Sequence, residues 1–191
     1  MKRNVVLGLL SCVLYSNCSF SEPKIVGIYK NLADYESNNL AYKNDNSGKR
    51  TKIMLNDFFE KPTIKIITDN KNVILDKSAI YGYVDNNNNT YRFFEGEHYQ
   101  LLEKGIINIY SRLLAEKQGR EGFILVQQLF FSTSDSTEIL PLNIENMDKA
   151  LSKVLSSQVC SRFTNASISN YNSAQKSFDI NITLKNITIK Q

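Results

Sequence analysis

Apolar residues recur at every second position through much of this chain, and this period constrains its fold more than any other feature. Residues 63–68 form one such run, and residues 79–84 form another that precedes residues 90–94 across Asp85 and four asparagines. Alternation is typical of strands with one buried face, and an Asn-rich connection between two such runs is typical of a hairpin. The sequence therefore predicts a mainly β protein.

Several further short runs are separated by turn residues, and one late segment has a helical period instead. The other predicted strands comprise residues 24–29, 52–55, 73–75, 101–102, 106–110 and 123–131. Asn143 can cap a helix at about residues 144–155, where Met147 and Leu151 fall on one stripe. Residues 178–184 alternate again and predict a C-terminal strand. The predicted fold class is α+β, mainly β: an antiparallel meander or half-barrel with one late helix and a closing strand.

The first 21 residues have the form of a secretory signal peptide. Two basic residues precede an apolar run at residues 5–14, which is too short to span a bilayer because spanning takes about twenty residues. Small side chains at Ser19 and Ser21 suit cleavage before Glu22. This pattern predicts an exported protein that resides in the periplasm, on the outer surface or outside the cell. No transmembrane span is expected once the signal is removed.

The three cysteines distinguish two forms of export. Simple cleavage removes Cys12 and Cys18 and leaves Cys160 alone, so no internal disulfide could form. The alternative takes residues 9–12 as a bacterial lipobox, which would leave a lipoprotein anchored through Cys12. Without a disulfide, stability must come from an apolar core, and a chain of about 170 residues can bury one. We therefore predict a single β-rich domain at residues 22–191.

The charge distribution gives little support to nucleic-acid binding. The formal net charge of +4 falls to +2 without Lys2 and Arg3, and the remaining lysines are interleaved with carboxylates. Nucleic-acid sites instead gather cations into a patch or stripe. We predict no nucleic-acid partner.

The aromatic hairpin carries the candidate binding residues, Tyr81, Tyr83, Tyr91 and Arg92. Tyrosine offers a large contact area at a small entropic cost, which protein interfaces and sugar-binding platforms both use. The same rings can instead fill a core, and the sequence leaves both interpretations open. If the rings are exposed, the expected partner is an envelope protein or a glycan.

Two carboxylates beside the only histidine provide the alternative, a catalytic site. Glu95 and Glu97 precede His98, and alternation predicts that both lie on one face of a strand. Paired carboxylates act as acid and base in glycoside cleavage when they share a cleft and have divergent pKa values. Asp57 or Asp135 could supply a further carboxylate. The commoner origin of such a pair is a solvated strand end, so no residue is assigned as catalytic.

The sequence predicts neither a metal site nor a cofactor. Asp85, Asn87 and Asn89 imitate the start of a calcium loop, but Thr90 and Gly96 stand where an EF-hand needs glycine and glutamate. A hairpin turn explains the same residues better, because asparagine readily adopts turn geometry. A single histidine also excludes clusters of imidazole ligands.

The order of several motifs resembles a family of small exported bacterial proteins of unknown function. These motifs are residues 55–62 (Leu-Asn-Asp-Phe-Phe-Glu-Lys-Pro), Tyr-Gly-Tyr at 81–83, Tyr-Arg-Phe at 91–93, residues 107–110, and Pro-Leu-Asn-Ile-Glu-Asn at 141–146. The resemblance implies a signal peptide followed by one β-rich domain with an aromatic hairpin. It implies no activity and carries over no catalytic residue.

Two function classes follow from these observations. The first is a non-enzymatic envelope or secreted module that binds through the aromatic hairpin or within a curled sheet, and the sequence favours it. The second is a hydrolase of envelope or environmental glycans that uses Glu95 or Glu97. The second class requires a concave pocket that gathers carboxylates, whereas the first does not.

Overall fold

The computed structural model describes residues 25–44, 51–55, 61–69, 71–119, 122–151 and 168–188. These residues form a mainly β structure built from antiparallel sheets, as the sequence predicts. Several predicted features lie outside the described residues: the signal at 1–21 with Cys12, the helical residues 152–155, Asp57 and Cys160.

The described strands and helices alternate with short turns along the chain. The strands are β1 (Gly27–Tyr29), β2 (Lys52–Met54), β3 (Thr63–Thr68), β4 (Lys71–Asp76), β5 (Gly82–Val84), β6 (Thr90–Phe94), β7 (Glu97–Glu103), β8 (Asn108–Gln118), β9 (Gly122–Ser132), β10 (Leu140–Pro141), β11 (Tyr171–Asn172) and β12 (Ser177–Phe178). The helices are α1 (Leu32–Glu36), α2 (Ile144–Leu151) and α3 (Asp179–Thr188), and a 3-10 turn covers Lys77–Ala79.

Seven of the described strands form the main sheet, in the order β1-β5-β6-β7-β8-β9-β10. Strands β5 to β10 follow one another as the predicted antiparallel meander, and β1 adds to its edge beside β5. Strands β2, β3 and β4 form a separate three-stranded antiparallel sheet, while β11 and β12 form a short hairpin. The main sheet is therefore open, with β1 and β10 at its edges.

Two apolar clusters cover opposite ends of one face of the main sheet. The three-stranded sheet packs on the first end through the cluster Ile28, Ile64, Ile66, Ile80, Tyr83 and Phe93. Helices α2 and α3 cover the other end through the cluster Ile107, Ile109, Phe131, Met147, Leu151, Ile168, Phe178, Ile180 and Leu184. Burial of these side chains is the main source of stability, at about 25 cal/mol for each Å² of apolar surface removed from water. The middle of this face lies between the two clusters.

The late helix begins where the sequence predicts. The side-chain oxygen of Asn143 accepts a hydrogen bond from the backbone N–H of Asn146 at 2.8 Å, which caps the first turn. Met147 and Leu151, four residues apart, are both buried. The sequence prediction of helix α2 is thus confirmed over residues 144–151.

The predicted C-terminal strand is present only at Ser177–Phe178, and its extension to residue 184 is wrong, because residues 179–188 form helix α3. The alternating run contains Ile180 and Leu184, which are also spaced as neighbours on a helix, and both are fully buried. A short apolar run can satisfy both periods, and packing against the main sheet selects the helical one.

Asn181 attaches helix α3 to the main sheet. Its side-chain amide accepts a hydrogen bond from the backbone N–H of Ile107 at 3.1 Å and donates one to the backbone carbonyl of the same residue at 3.0 Å. Both partners are buried. In the described sheet no neighbouring strand pairs with Ile107. The Asn181 amide therefore provides the hydrogen-bond partners for the backbone N–H and C=O of Ile107. None of the helices in the described ranges is long and apolar enough to cross a membrane.

Candidate functional site

One row of paired residues crosses the main sheet from strand β1 to strand β9. The row runs through Ile28, Tyr83, Tyr91, Gln100, Ser111 and Leu129, each paired with the next across neighbouring strands. Directly paired residues of antiparallel strands project from the same face. The two ends of this row are apolar and packed against the covering elements, whereas its middle is polar.

A cleft of about 980 Å³ opens at this polar middle. Strands β6, β7, β8 and β9 line its floor with Tyr91, His98, Gln100, Ser111, Leu113 and Gln127. Arg112 also lines the cleft, although it pairs with Gln128 and therefore projects from the other face of the sheet. Lys61, Pro62 and Lys77 line the side next to the three-stranded sheet, and the turn at 95–97 lines the rim. This volume is within the range of known small-molecule sites.

The cleft carries charges of both signs, and one pair of them is joined. An oxygen of Glu97 lies 2.6 Å from a guanidinium nitrogen of Arg112, and the two side chains are 48% and 25% exposed. The central carbon of the Arg112 guanidinium lies 5.7 Å from the centre of the Tyr99 ring, so both the Glu97 carboxylate and the Tyr99 ring hold this side chain in place. Lys61 and Lys77 line the cleft together with Glu95 and Glu97, which leaves no strong excess of either sign.

The prediction that Glu95 and Glu97 lie on one strand face is wrong, because Glu95 is in a turn. Phe94 pairs with Glu97, so Glu95 and Gly96 form a two-residue hairpin loop with positive φ angles of 51° and 80°. Both residues adopting positive φ is the geometry of a type I′ turn, which fits the right-handed twist of the flanking strands. Glu95 and Glu97 nevertheless both line the cleft, and both are exposed.

The structure separates Asp135 from this pair, whereas Asp57 lies outside the described residues. Asp135 lies beyond β9, where it accepts hydrogen bonds from Lys104 at 2.6 Å and from the Asn108 side chain at 2.8 Å. It is not among the residues that line the cleft. A glycosidase-like arrangement would thus depend on Glu95 and Glu97 alone among the carboxylates described here.

The aromatic hairpin is present, but its candidate binding residues divide between the two faces of the sheet. Tyr83 and Tyr91 lie on the cleft face, stacked with their ring centres 4.6 Å apart and their planes at 4°. Tyr83 is 4% exposed and belongs to the core, whereas Tyr91 is partly exposed and lines the cleft. The stack fixes the Tyr91 ring against the core before any ligand binds.

Arg92 and Tyr81 lie together on the opposite face. Arg92 is 7% exposed, and its guanidinium carbon lies 5.4 Å from the Tyr81 ring centre and 5.8 Å from that of Phe94. One of its nitrogens donates to the backbone carbonyl of Thr137 at 2.6 Å, and the Tyr81 hydroxyl donates to the carbonyl of Asp135 at 2.9 Å. In the described structure these two side chains hold the loop after β9 against the sheet.

Burial also changes the acidity of the tyrosines on that face. It raises the pKa of Tyr81 far above that of a free phenol, against the opposing effect of the nearby Arg92 guanidinium. Burial likewise raises the pKa of Tyr35, whose ring centre lies 4.8 Å from that of Tyr81.

These shifts predict a loss of stability in alkali. Unfolded tyrosine ionises near pH 10, while folded Tyr81 stays protonated, so the unfolded state binds fewer protons and the free energy of unfolding falls as the pH rises above about 10. Urea titrations between pH 8 and pH 11 measure this slope. Tyr81→Phe should be about 1 kcal/mol less stable at pH 8 because it loses one hydrogen bond, yet it should have a shallower slope above pH 10. An unchanged slope in Tyr81→Phe would contradict the assignment; Tyr171→Phe, at a ring that is 51% exposed, is the control.

Asp85 and its asparagines form the hairpin turn that the sequence favours over a calcium loop. The Asp85 carboxylate accepts the backbone N–H groups of Asn87 at 2.8 Å and Asn89 at 2.9 Å, and Asn88 adopts a positive φ of 62°. The acid therefore caps its own turn. No group of three or more His, Cys, Asp or Glu side chains in the described ranges is placed to hold a metal ion.

Several cleft residues have no counterpart in the sequence-based site, among them Gln100, Ser111, Arg112 and Gln127. They come from three strands, and only the register of those strands brings them together. The sequence does contain a signal for two of these strands, because the polar pairs Ser111-Arg112 and Gln127-Gln128 interrupt strongly apolar runs. Polar pairs inside an apolar strand indicate a part of the sheet that is not covered by the core.

Comparison with known proteins provides no relative from which a site could be transferred. The chain matches no protein-family model, no curated protein and no solved structure.

Proposed function

We propose that this protein is an exported, non-enzymatic binding module whose cleft holds a neutral, hydroxyl-rich ligand of the glycan class. The observation that carries the proposal is the cleft of about 980 Å³ on the middle of the main sheet. The form of residues 1–21 supports export to the envelope or beyond, where glycans are abundant partners.

The chemistry of the lining supports a neutral polar ligand. Gln100, Gln127 and Ser111 offer amide and hydroxyl groups that both donate and accept hydrogen bonds, as sugar hydroxyls do. The Tyr91 ring supplies a flat apolar surface that is already fixed by its stack on Tyr83. Preorganised side chains lose little entropy when a ligand binds.

The charge of the lining argues against a strongly ionic ligand. Arg112 is already paired with Glu97, and an anion would have to compete with that carboxylate. A cation would be repelled by the positive charges of Arg112, Lys61 and Lys77. A neutral ligand avoids both conflicts. It can replace the water that hydrogen-bonds to the lining without breaking the pair of Arg112 and Glu97 and without burying an unpaired charge.

Calorimetry with soluble oligosaccharides tests this proposal. Neutral β-linked chains of hexose and of N-acetylhexosamine should bind, and Gln100→Ala should weaken the binding about 5- to 10-fold by removing hydrogen bonds from the floor of the cleft. Gln128→Ala is the matched control, because Gln128 lies on the opposite face of β9 beside Gln127 and is not part of the cleft. Absence of binding at millimolar concentration, or equal binding by both variants, would contradict the proposal.

The hydrolase remains the second candidate, and Glu95 and Glu97 at the rim of the same cleft favour it. The same oligosaccharides distinguish the two functions. Appearance of new reducing ends, abolished in Glu97→Gln, would assign glycoside cleavage to the cleft. A binding module leaves the oligosaccharides intact, and Glu97→Gln then changes affinity only.

A further inference from the structure

Strands β8 and β9 continue beyond the main sheet as a two-stranded ribbon. They pair over eleven residue pairs, from Asn108 with Ser132 to Gln118 with Gly122. Strand β7 pairs with β8 only at residues 109–111, and β10 pairs with β9 only at residues 130–131. Residues 112–118 and 122–128, the ribbon, therefore have no third strand in the part of the chain described here.

The ribbon presents large apolar side chains to solvent on both faces. Phe123 is 74% exposed, Leu125 70%, Leu113 62% and Ile124 42%. A two-stranded hairpin alone is only marginally stable in water, and a long apolar strand edge readily pairs with another strand. These two properties indicate that the ribbon has a partner.

The free edge of β9 is suited to pairing and that of β8 is less so. Residues 122–129 contain no charged residue and no proline, which are the devices that natural edges use against pairing. Strand β8 carries Arg112, Glu116 and Lys117 over the corresponding length. Two copies of an uncharged strand edge can therefore approach each other without electrostatic repulsion.

Backbone geometry fixes how such an edge would pair with itself. The carbonyl of Leu129 accepts the N–H of Leu142 at 2.9 Å, so the hydrogen-bonding groups of Leu129 point away from β8. Because these groups alternate along a strand, those of Phe123, Leu125 and Gln127 point outward as well. An antiparallel copy centred on Leu125 would pair Leu125 with itself and Phe123 with Gln127, forming about six backbone hydrogen bonds. The same register places Ile124 opposite Val126.

We infer that β9 is a homodimerisation edge, where two copies of this chain join antiparallel about Leu125 and form a continuous four-stranded ribbon β8-β9-β9-β8. A two-fold axis at Leu125 makes the contact isologous and closed. The partner strand would end where Leu142 already occupies the edge, so the two bodies sit at opposite ends of the shared ribbon.

The available area is sufficient for a stable pair. The three large apolar side chains of β9, Phe123, Ile124 and Leu125, are 42–74% exposed and present roughly 350 Å² per copy, to which the strand edge adds its backbone. Two copies would thus bury about 1,000 Å², the lower limit of specific interfaces. We accordingly expect a dimer with a dissociation constant in the micromolar range rather than an obligate one.

Analytical ultracentrifugation across a concentration series tests this inference. The protein should change from monomer to dimer, and Leu125→Lys should weaken the dimer at least 10-fold, because it places two cations opposite each other at the axis. Ala115→Lys is the matched control. Ala115 is an exposed residue of β8 that pairs with Leu125 of β9, so this substitution adds the same charge one strand away from the new contact. Circular dichroism of both variants establishes that they remain folded.

Disulfide trapping provides the independent measurement. In a background with serine at the natural cysteines, Leu125→Cys should form a disulfide-linked dimer, whereas Ala115→Cys should not, because only position 125 lies beside its own copy. The inference is overturned if the protein stays monomeric at 100 μM, or if Leu125→Lys leaves the dimer unchanged. It is also overturned if a monomer shows protected amides at residues 123, 125 and 127, or binds lipid vesicles through the ribbon, because another segment or a membrane would then occupy this edge.

Discussion

Replacement of Gly82 by alanine is expected to prevent strands β5 and β6 from pairing and to destabilise the fold by at least about 3 kcal/mol. A Cβ atom at this position would collide with the backbone oxygen of Tyr91 and would lie 3.1 Å from its carbonyl carbon. Both are backbone atoms of the paired strand, which cannot rotate out of the way as a side chain can. Relief would require β5 to move away from β6, and the stack of Tyr83 on Tyr91 would be lost with it.

The midpoint of urea unfolding, followed by circular dichroism, measures this effect. Gly122→Ala is the control, because Gly122 also lies in a strand but a Cβ there meets no atom within 4 Å. It should be neutral or slightly stabilising, since alanine restricts the unfolded chain more than glycine does. A Gly82→Ala protein as stable as Gly122→Ala would show that β5 and β6 are not paired in this register.

Asn181→Ala is expected to have the second-largest effect, a loss of about 2–4 kcal/mol. The substitution removes both hydrogen bonds to Ile107 and leaves a buried backbone N–H and a buried C=O without partners. Each unsatisfied group carries its full desolvation penalty, so the cost exceeds that of an ordinary surface hydrogen bond. Helix α3 should then detach from the main sheet before the rest of the fold unfolds.

Thermal unfolding together with amide hydrogen exchange detects this detachment. Asn186→Ala is the matched control, with the same residue type on the same helix in an exposed position. It should change the free energy of unfolding by less than about 0.5 kcal/mol. Equal stability of the two variants would mean that Asn181 does not fix the helix to Ile107.

The parts of the fold that local signals determine were predictable from the sequence. The turn at Asp85 is closed by its own carboxylate, and the helix at 144–151 begins at a capping asparagine. Helix α1 begins likewise at Asn31, whose side-chain oxygen accepts the N–H of Asp34 at 2.9 Å. Each of these features depends on residues within four positions of one another, which a sequence displays directly.

The parts that depend on distant packing were not predictable in the same way. Residues 178–184 satisfy two periods at once, and helix α3 is selected by its burial against Ile109 and Phe131. The cleft residues Gln100 and Ser111 become neighbours only through strand register, on which single-strand patterns carry no information. The two-residue turn at Glu95-Gly96 was not predicted because Glu95 and Glu97 alternate in the sequence as they would along a strand, and a sequence does not display the positive φ angles that form the turn.

The candidate binding residues illustrate the same limit. An aromatic hairpin predicts rings that either pack or bind, and strand pairing decides between these roles for each ring. Tyr83 is buried in the core, while Tyr91 reaches the cleft from the neighbouring strand. Tyr81 and Arg92 hold a loop on the other face. Which side chains can meet one ligand is therefore a property of the sheet and not of the motif.

Side-chain amide resonances of glutamine provide the most direct test of the cleft as a ligand site. The NH₂ signals of Gln100 and Gln127, which line the cleft, should shift together and saturate as a neutral oligosaccharide is titrated into labelled protein. Those of Gln128, on the other face of the same strand, and of Gln118, at the end of the ribbon, should stay in place. Shifts confined to Gln118 or Gln128, or no shift at millimolar oligosaccharide, would contradict the assignment of this cleft as the binding site.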